Sequence, residues 1–166
     1  MVKIEGASTD DIPVIKGLAE YIWPVAYKDI ISKEQIAYML DMMYSEEALK
    51  YQIEKQQHTF FLAFLNNVPV GFAAFHKKYK MSHAIYRLSK LYVSTEAQRM
   101  GIGKKLLDQV IFPIKPLGAS ILELNVNRAN KASAFYEKMG FIITKNEDIA
   151  IGNGFFMNDY VMQKSI

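Results

Sequence analysis

Apolar and polar positions change rhythm several times along the chain. "VKIEGAS", from Val2, alternates with a period of two and reads as a first strand. Thr9 or Asp10 then offers a helix cap, with Pro13 in the first turn. The spacing of "IPVIKGLAEYIWPVAY" predicts a helix interrupted near Pro24. Ser32 stands as N-cap to "KEQIAYMLDMMY", where Ile36, Met39, Leu40 and Met43 recur at helical spacing, and Ser45 caps "EEALKYQIEKQ".

Three strand-like runs come next: "HTFFLAFLN", "VPVGFAAFHKKY" and "AIYRLSKLYVS". "NNVP" between the first two signals a hairpin. A helix is expected from about Gly101 to Ile114, followed by a strand "SILELNVN" and a helix "NKASAFYEKMG" stopped by Gly140. Two last strands are "FIITKNEDI" and "FFMNDYVMQK". Early helices, an antiparallel meander and then alternating strands and helices predict a mixed α/β sheet.

Composition narrows this little. The 166 residues suit one domain over 1–166, with no repeat, linker or low-complexity stretch. There is no cysteine, which excludes disulfides, thiolate metal sites and a cysteine nucleophile; no metal is expected. The N-terminus lacks a basic segment followed by an apolar one, and no apolar run approaches the ~20 residues of a membrane span. The cytoplasm is the expected location. A net charge of +3, spread along the chain, argues against nucleic acid. One local basic cluster, Arg99, Lys104 and Lys105, suits a small anion better.

That cluster surrounds "TEAQRMGIGKKLLDQV", in which Gly101 and Gly103 open a helix directly after the apolar strand "LYV". The first amides of a helix lack internal partners, and the helix dipole adds positive charge there, so the pattern suits phosphate. Glycine allows close approach and positive φ. A tight strand-to-helix turn without ligand explains the spacing equally well. The dinucleotide pattern G-x-G-x-x-G fails at Leu106, and the P-loop fails at Gln98 and Lys105.

"LYVSTEAQRMGIGKKLL" resembles the acetyl-CoA signature of the GNAT superfamily of N-acetyltransferases, [QR]-x-x-G-x-[GA], with Gln98, Gly101 and Gly103 in the pattern. "LNVNRANKASAFYEKMGF" resembles the family's next block, through Asn130, Ser133 or Ala132, Tyr136 and Gly140-Phe141. "DYVMQK" resembles its last strand. The resemblance implies an α/β (α+β) domain. Its sheet is mixed, mostly antiparallel and twisted, of about seven strands, with helices on both faces and a splayed central strand pair. It implies acetyl-CoA as co-substrate, held by the loop residues Gln98, Arg99, Met100, Gly101, Ile102, Gly103 and Lys104, with Asn130 and Ser133 beside it. The amides of Leu91 and Val93, next to Tyr92, are implied to meet the thioester. Tyr136 is implied as the acid that protonates the leaving thiolate, its ordinary pKa near ~10 being a fair match; from spacing alone it is a packing aromatic. Asn130 also reads as a helix N-cap.

No general base is legible. "AIYRLSKLYV" carries no acid, His76 and His83 read as surface or turn histidines, and Glu123 alternates outward to solvent. A water chain, or an amine arriving deprotonated, remains open. Trp23, Tyr27 and Tyr44 are candidates for an acceptor cavity, although aromatics at helical spacing are usually core. Asp29, Glu34, Asp41, Glu46 and Glu47 read as a solvated face. "AYKDIISKEQIAYMLDMMYS" resembles GNAT members related to polyamine acetyltransferases. The expectation is acetyl transfer to a primary amine of a small molecule, polyamine-like first. A peptide or protein amine, or a non-catalytic CoA-binding sensor, is the alternative. Either a monomer or a homodimer is compatible.

Overall fold

A computed structural model describes all residues, 1–166. β1 (Val2–Ala7) passes through a 3-10 turn (Thr9–Asp11) into α1 (Ile12–Ala26), α2 (Lys33–Tyr44) and α3 (Glu46–Glu54). The meander β2 (Thr59–Leu65), β3 (Val68–Lys77) and β4 (Ile85–Val93) follows. Then come α4 (Ile102–Ile114), β5 (Ile121–Asn127), α5 (Ala132–Lys138), β6 (Ile142–Gly152) and β7 (Phe155–Ser165). One sheet runs β1-β2-β3-β4-β5-β7-β6. Every neighbouring pair is antiparallel except β4 with β5.

Local chemistry explains most boundaries. Ser32 and Ser45 each accept a backbone amide at 3.1 Å, from Gln35 and Ala48, and so start α2 and α3. Asn66 and Asn67 both take positive φ, 50° and 68°, which a two-residue hairpin with the right twist needs. Two expectations are corrected. The first cap is Ser8, not Thr9 or Asp10: its hydroxyl accepts Asp10 N, and Asp11 accepts the Ser8 amide at 2.8 Å. Pro24 does not interrupt α1, which runs on to Ala26. It lies so near the end that only one helical bond is lost, to the carbonyl of exposed Glu20.

Helices cover both faces. α1, α2 and α3 lay Ile15, Leu18, Trp23, Met39 and Leu49 over Phe60, Leu62 and Phe72. α4 and α5 lay Leu106, Val110 and Tyr136 over Ala63, Leu88 and Leu124. The strand period of two divides β2 between them, Phe60 and Leu62 going to one core and Ala63 to the other. Burying each such large side chain contributes about 1.5–3 kcal/mol.

β4 is irregular, and this builds the site. Ala74 pairs with Lys90 and Phe75 with Leu88, so Ser89 is an unmatched, bulged residue. The bulge flips the pleat: Leu88 joins the α4 core, while Lys90 and Tyr92 face the α1–α3 side. β4 pairs with β5 only from Ile85–Arg87 to Ile121–Glu123, and beyond Arg87 the two strands part.

Candidate active site

The loop from β4 to α4 contains two residues of positive φ, Arg99 at 66° and Gly101 at 77°. A Cβ at Gly101 would meet no atom within 4 Å, so its surface is open. Gly103 has a packing reason that the spacing did not show. A Cβ there would lie 3.3 Å from the Phe135 ring, so this glycine makes room for α5 against α4. The first helical bond of α4 runs from Lys105 N to Gly101 O, at 3.0 Å. The amides of Arg99, Met100, Gly101, Ile102, Gly103 and Lys104 find no acceptor in the chain. Free amides at the positive end of a helix fit a pyrophosphate, and the loop therefore suits CoA. Ile102 contributes only its backbone, because its side chain is buried in the core. Lys104 is paired with Asp108 at 2.7 Å, and Gln98 Nε2 ties the loop to Val93 O at 3.1 Å.

Beside the loop lies the gap between β4 and β5. Ser94 N donates to Val70 O of β3 at 2.8 Å. Amides alternate sides along a strand, so those of Leu91 and Val93 face the gap. A cavity of about 360 Å³ opens there, lined by Leu91, Tyr92, Val93, Gln98, Asn130 and Tyr136. Arg99 to Lys104 and Ser133 lie outside its wall. The N-cap position of α5 is Lys131, one residue later than read; Asn130, just before it, still accepts Ala132 N on its Oδ1 at 2.9 Å, and Ser133 Oγ donates to Asn130 O at 3.2 Å. Tyr136 is buried against Phe135 and Phe141, and that burial raises its hydroxyl well above the ordinary phenol value.

Trp23, Tyr27 and Tyr44 line the same cavity on the α1–α3 side, where each is also core. Tyr27 and Tyr92 share a hydrogen bond between hydroxyls at 2.9 Å, and the Trp23 ring packs against Tyr27, tilted by 36°, at 4.4 Å. Trp23 Nε1 and Tyr44 Oη have no partner. Asp29, Glu34, Asp41, Glu46 and Glu47 are exposed and outside the wall, the solvated face expected. The cavity is roofed where α2 grips the β6–β7 hairpin. Tyr38 Oη donates to Ile151 O and Gln35 Nε2 to Phe156 O, both at 2.7 Å.

The sequence reading missed three polar residues. Lys90 is 6% exposed, lines the cavity, and its Nζ donates to Gln52 Oε1 at 2.7 Å. Burial pushes its amine down to about 7. Asp159, 4% exposed on β7, is the one acid in the cavity wall, and burial raises its carboxyl. Glu123 is not solvent-facing but 2% exposed, because the sheet face it occupies carries its partners. Arg87 reaches it at 2.5 Å, Lys78 at 2.9 Å and Gln163 at 2.7 Å. Burial alone would raise its carboxyl, but these partners hold it below the usual range. His76 is no ordinary surface histidine: it stacks on His58 at 4.0 Å, half-buried, away from the cavity. His83 is exposed, as expected. The signal for Lys90 lay in a lysine directly before the apolar run Leu91–Val93.

Residues 27–164 match the family model of the acetyltransferase (GNAT) domain. The chain belongs to the GNAT family of acetyltransferases. A spermidine N(1)-acetyltransferase of Thermoplasma acidophilum is 27% identical over 168 residues, which cover 98% of this chain and 96% of that protein. The crystal structure of the PaiA N-acetyltransferase of Thermoplasma acidophilum, in complex with coenzyme A, superposes with a TM-score of 0.83. It is 27% identical and covers 100% of this chain and 99% of that one. A GCN5-related N-acetyltransferase of Rhodopseudomonas palustris gives a TM-score of 0.82 at 21% identity, covering 99% and 95% of the two chains, a likeness of fold. This GNAT chain is an N-acetyltransferase with a seven-stranded sheet.

Proposed function

We propose that this acetyltransferase moves acetyl from acetyl-CoA to a primary amine of a small molecule, a polyamine-like amine first among them. The observation that carries the reading is the junction of free amides and open gap. The amides from Arg99 to Lys104 have no acceptor, and the edge of β4 left unpaired by β5, from Leu88 to Val93, leads toward them through one 3-10 turn. The loop amides hold the pyrophosphate, and Asn130 and Ser133 flank the cofactor arm. Acetyl-CoA supplies the thioester. The amides of Leu91 and Val93 polarise its carbonyl, since donors fixed in a low-dielectric site need no reorganisation. Tyr136 protonates the departing sulfur. Its burial keeps the hydroxyl protonated across the neutral range, so the acid is always loaded, and it makes the phenol a weaker acid than the ordinary value expected from the sequence.

Two observations support a small acceptor. The roof made by Tyr38 and Gln35 closes the acceptor side, where an extended peptide would need an open groove. The aromatic wall of Trp23, Tyr27 and Tyr44 suits the methylene chain and cation of a polyamine. The similarity to a spermidine acetyltransferase supports the same class.

Calorimetric titration with acetyl-CoA, followed by thiol release against a panel of amines including spermidine and a peptide N-terminus, tests this. The expected result is binding, with release driven best by small amines. Binding without release would support a sensor, release driven best by the peptide would reverse the acceptor assignment, and absence of binding would overturn the cradle.

A further inference from the structure

We propose that Asp159 is the group that receives the acceptor's amine and takes its proton, acting from the sheet face opposite Tyr136. This rests on the transferase reading above.

The argument is geometric. Asp159 stands opposite Asn127 of β5 and Glu147 of β6, so its side chain shares a face with Asn125 and Glu123. Leu122, Leu124 and Met162 point to the other face, into the core that contains Tyr136. The cavity at the strand gap is thus bordered by a phenol from one face and a carboxylate from the other. That separation suits an amine arriving on one side of a thioester and a thiolate departing on the other.

Asp159 is held in place but not saturated. Its Oδ2 accepts Asn125 Nδ2 at 3.3 Å, and its Oδ1 has no partner. Arg87 donates to Asn125 Oδ1 and binds Glu123 at 2.5 Å. This series of contacts orients the carboxylate and leaves one oxygen for a donor from outside the protein. The other titratable groups near the cavity are unsuited. Lys90 lines the cavity but its Nζ is engaged by Gln52 Oε1 on α3, and the His58–His76 pair lies outside the wall.

The charge environment agrees. Burial, foremost, and Glu147 on β6 raise the Asp159 carboxyl, while Asn125, Arg128 after β5 and Arg87 on β4 oppose them. The hydroxyls of Tyr27, at the end of α1, and Tyr136, on α5, line the same cavity. A carboxylate of raised proton affinity is a better match to an amine than an ordinary one.

Proton and bond changes balance. Asp159 takes one proton of the incoming ammonium, directly or through one water, and passes it to solvent. As the N–C bond forms and the C–S bond breaks, Tyr136 gives its proton to sulfur. The second proton shed by nitrogen restores the phenol.

Asp159→Asn tests this, beside the wild type, in kcat, KM, pH profile and acetyl-CoA affinity. Expected are a fall in kcat/KM of about a hundredfold or more with acetyl-CoA affinity kept, and partial recovery in Asp159→Glu. In the wild type, kcat/KM should rise with pH through a limb above the ordinary carboxylate range, and D159N should lack that limb. If D159N does not fold, Asn125→Leu serves. It removes the hydrogen bond that favours the carboxylate, so the limb should move to higher pH; an unmoved limb overturns the assignment. A wild type that turns over beside an equally active D159N overturns the Asp159 role alone. A wild type that binds acetyl-CoA and releases no thiol overturns the transferase reading and the Asp159 role with it.

Discussion

Lys90 reaches from the central strand to Gln52 on α3, donating at 2.7 Å, with the rings of Tyr44 and Phe60 at 5.4 and 5.5 Å and no carboxylate partner. Burying an amine without a counter-charge disfavours its charged form, which is why its value falls to about 7. Between that value and the ordinary lysine value the unfolded chain binds a proton that the folded chain does not. Stability should therefore rise with pH through that window. Lys90→Met should flatten this rise, a difference of a few kcal/mol between the two pH dependences. Leaving Gln52 Oε1 unpaired costs about 1–3 kcal/mol at every pH, which the slope does not register. Urea unfolding of both proteins at pH 7 and pH 9.5 checks it. Equal slopes would mean that Lys90 keeps its ordinary value.

The stacked His58–His76 pair works at the acid end. Burial foremost, with neighbouring charges, lowers the two rings to about 3 and about 4, and the Nδ1 atoms have no partner. Below the ordinary histidine value the unfolded chain takes up protons that the folded pair refuses. Stability should fall as pH drops from about 6.5 toward 4. His76→Phe keeps a ring against His58 and removes one titrating group. The variant should lose less stability than the wild type between pH 7 and pH 5 in thermal unfolding. An identical loss would assign the acid sensitivity elsewhere.

Particular residues explain why the fold was easier to read than the site. Paired asparagines at 66 and 67, the serine caps at 32 and 45 and a two-residue period fixed by neighbours are local signals, and local structure obeyed them. Gly101 needed its positive φ, also a local matter. Lys90, Glu123 and Asp159 depend on contacts far along the chain. Lys90 is inward on the α1–α3 side only because Ser89 bulges, a feature set by pairing with β3. Glu123 is buried by Arg87, Lys78 and Gln163, which lie 36 to 45 positions away. Alternation assigns a residue to a face; it does not say what covers that face. Gly103 shows the same limit, since Phe135 explains it and lies on another helix.

The two glycines should separate in experiment. Gly101 has φ of 77° over open space, so Gly101→Ala pays backbone strain of about 1–2 kcal/mol and meets no atom. Gly101→Asp adds a negative charge to the amide cradle, and acetyl-CoA affinity should collapse. Gly103→Ala presses on Phe135 at 3.3 Å, so its loss should be one of stability and should be relieved by Phe135→Leu. Calorimetric affinity and thermal melts of the four variants distinguish these. Unchanged affinity in G101D would remove the loop from the cofactor site.

Tyr136 joins packing and chemistry, and Tyr136→Phe divides them. The ring contacts with Phe135 and Phe141, at centroid distances of 5.4 and 5.6 Å, survive the change. Stability and acetyl-CoA affinity should hold while kcat falls about a hundredfold or more. Burial holds the hydroxyl well above its ordinary value, so the wild-type rate should show no alkaline fall from Tyr136 at pH 9. A Y136F enzyme of full rate would leave the residue as packing alone.

The roof over the acceptor cavity should control acceptor size. Tyr38 Oη donates to Ile151 O at 2.7 Å and its ring meets Phe155 at 5.3 Å, which fastens α2 to the β6–β7 hairpin. Gly152 permits this approach: a Cβ there would lie 2.6 Å from Tyr38 Oη. Tyr38 does not line the cavity, so Tyr38→Phe loosens the roof without removing a wall. One hydrogen bond is worth about 0.5–1.5 kcal/mol, so the small-amine KM should rise roughly two- to tenfold, with acetyl-CoA affinity unchanged. The ratio of kcat/KM for a peptide N-terminus to that for spermidine should increase, because an opened groove admits the longer chain. Gly152→Ala forces the same contact apart from the opposite side and should move the ratio in the same direction. If neither variant changes the ratio, acceptor size is set by the aromatic wall of Trp23, Tyr27 and Tyr44 and not by the roof.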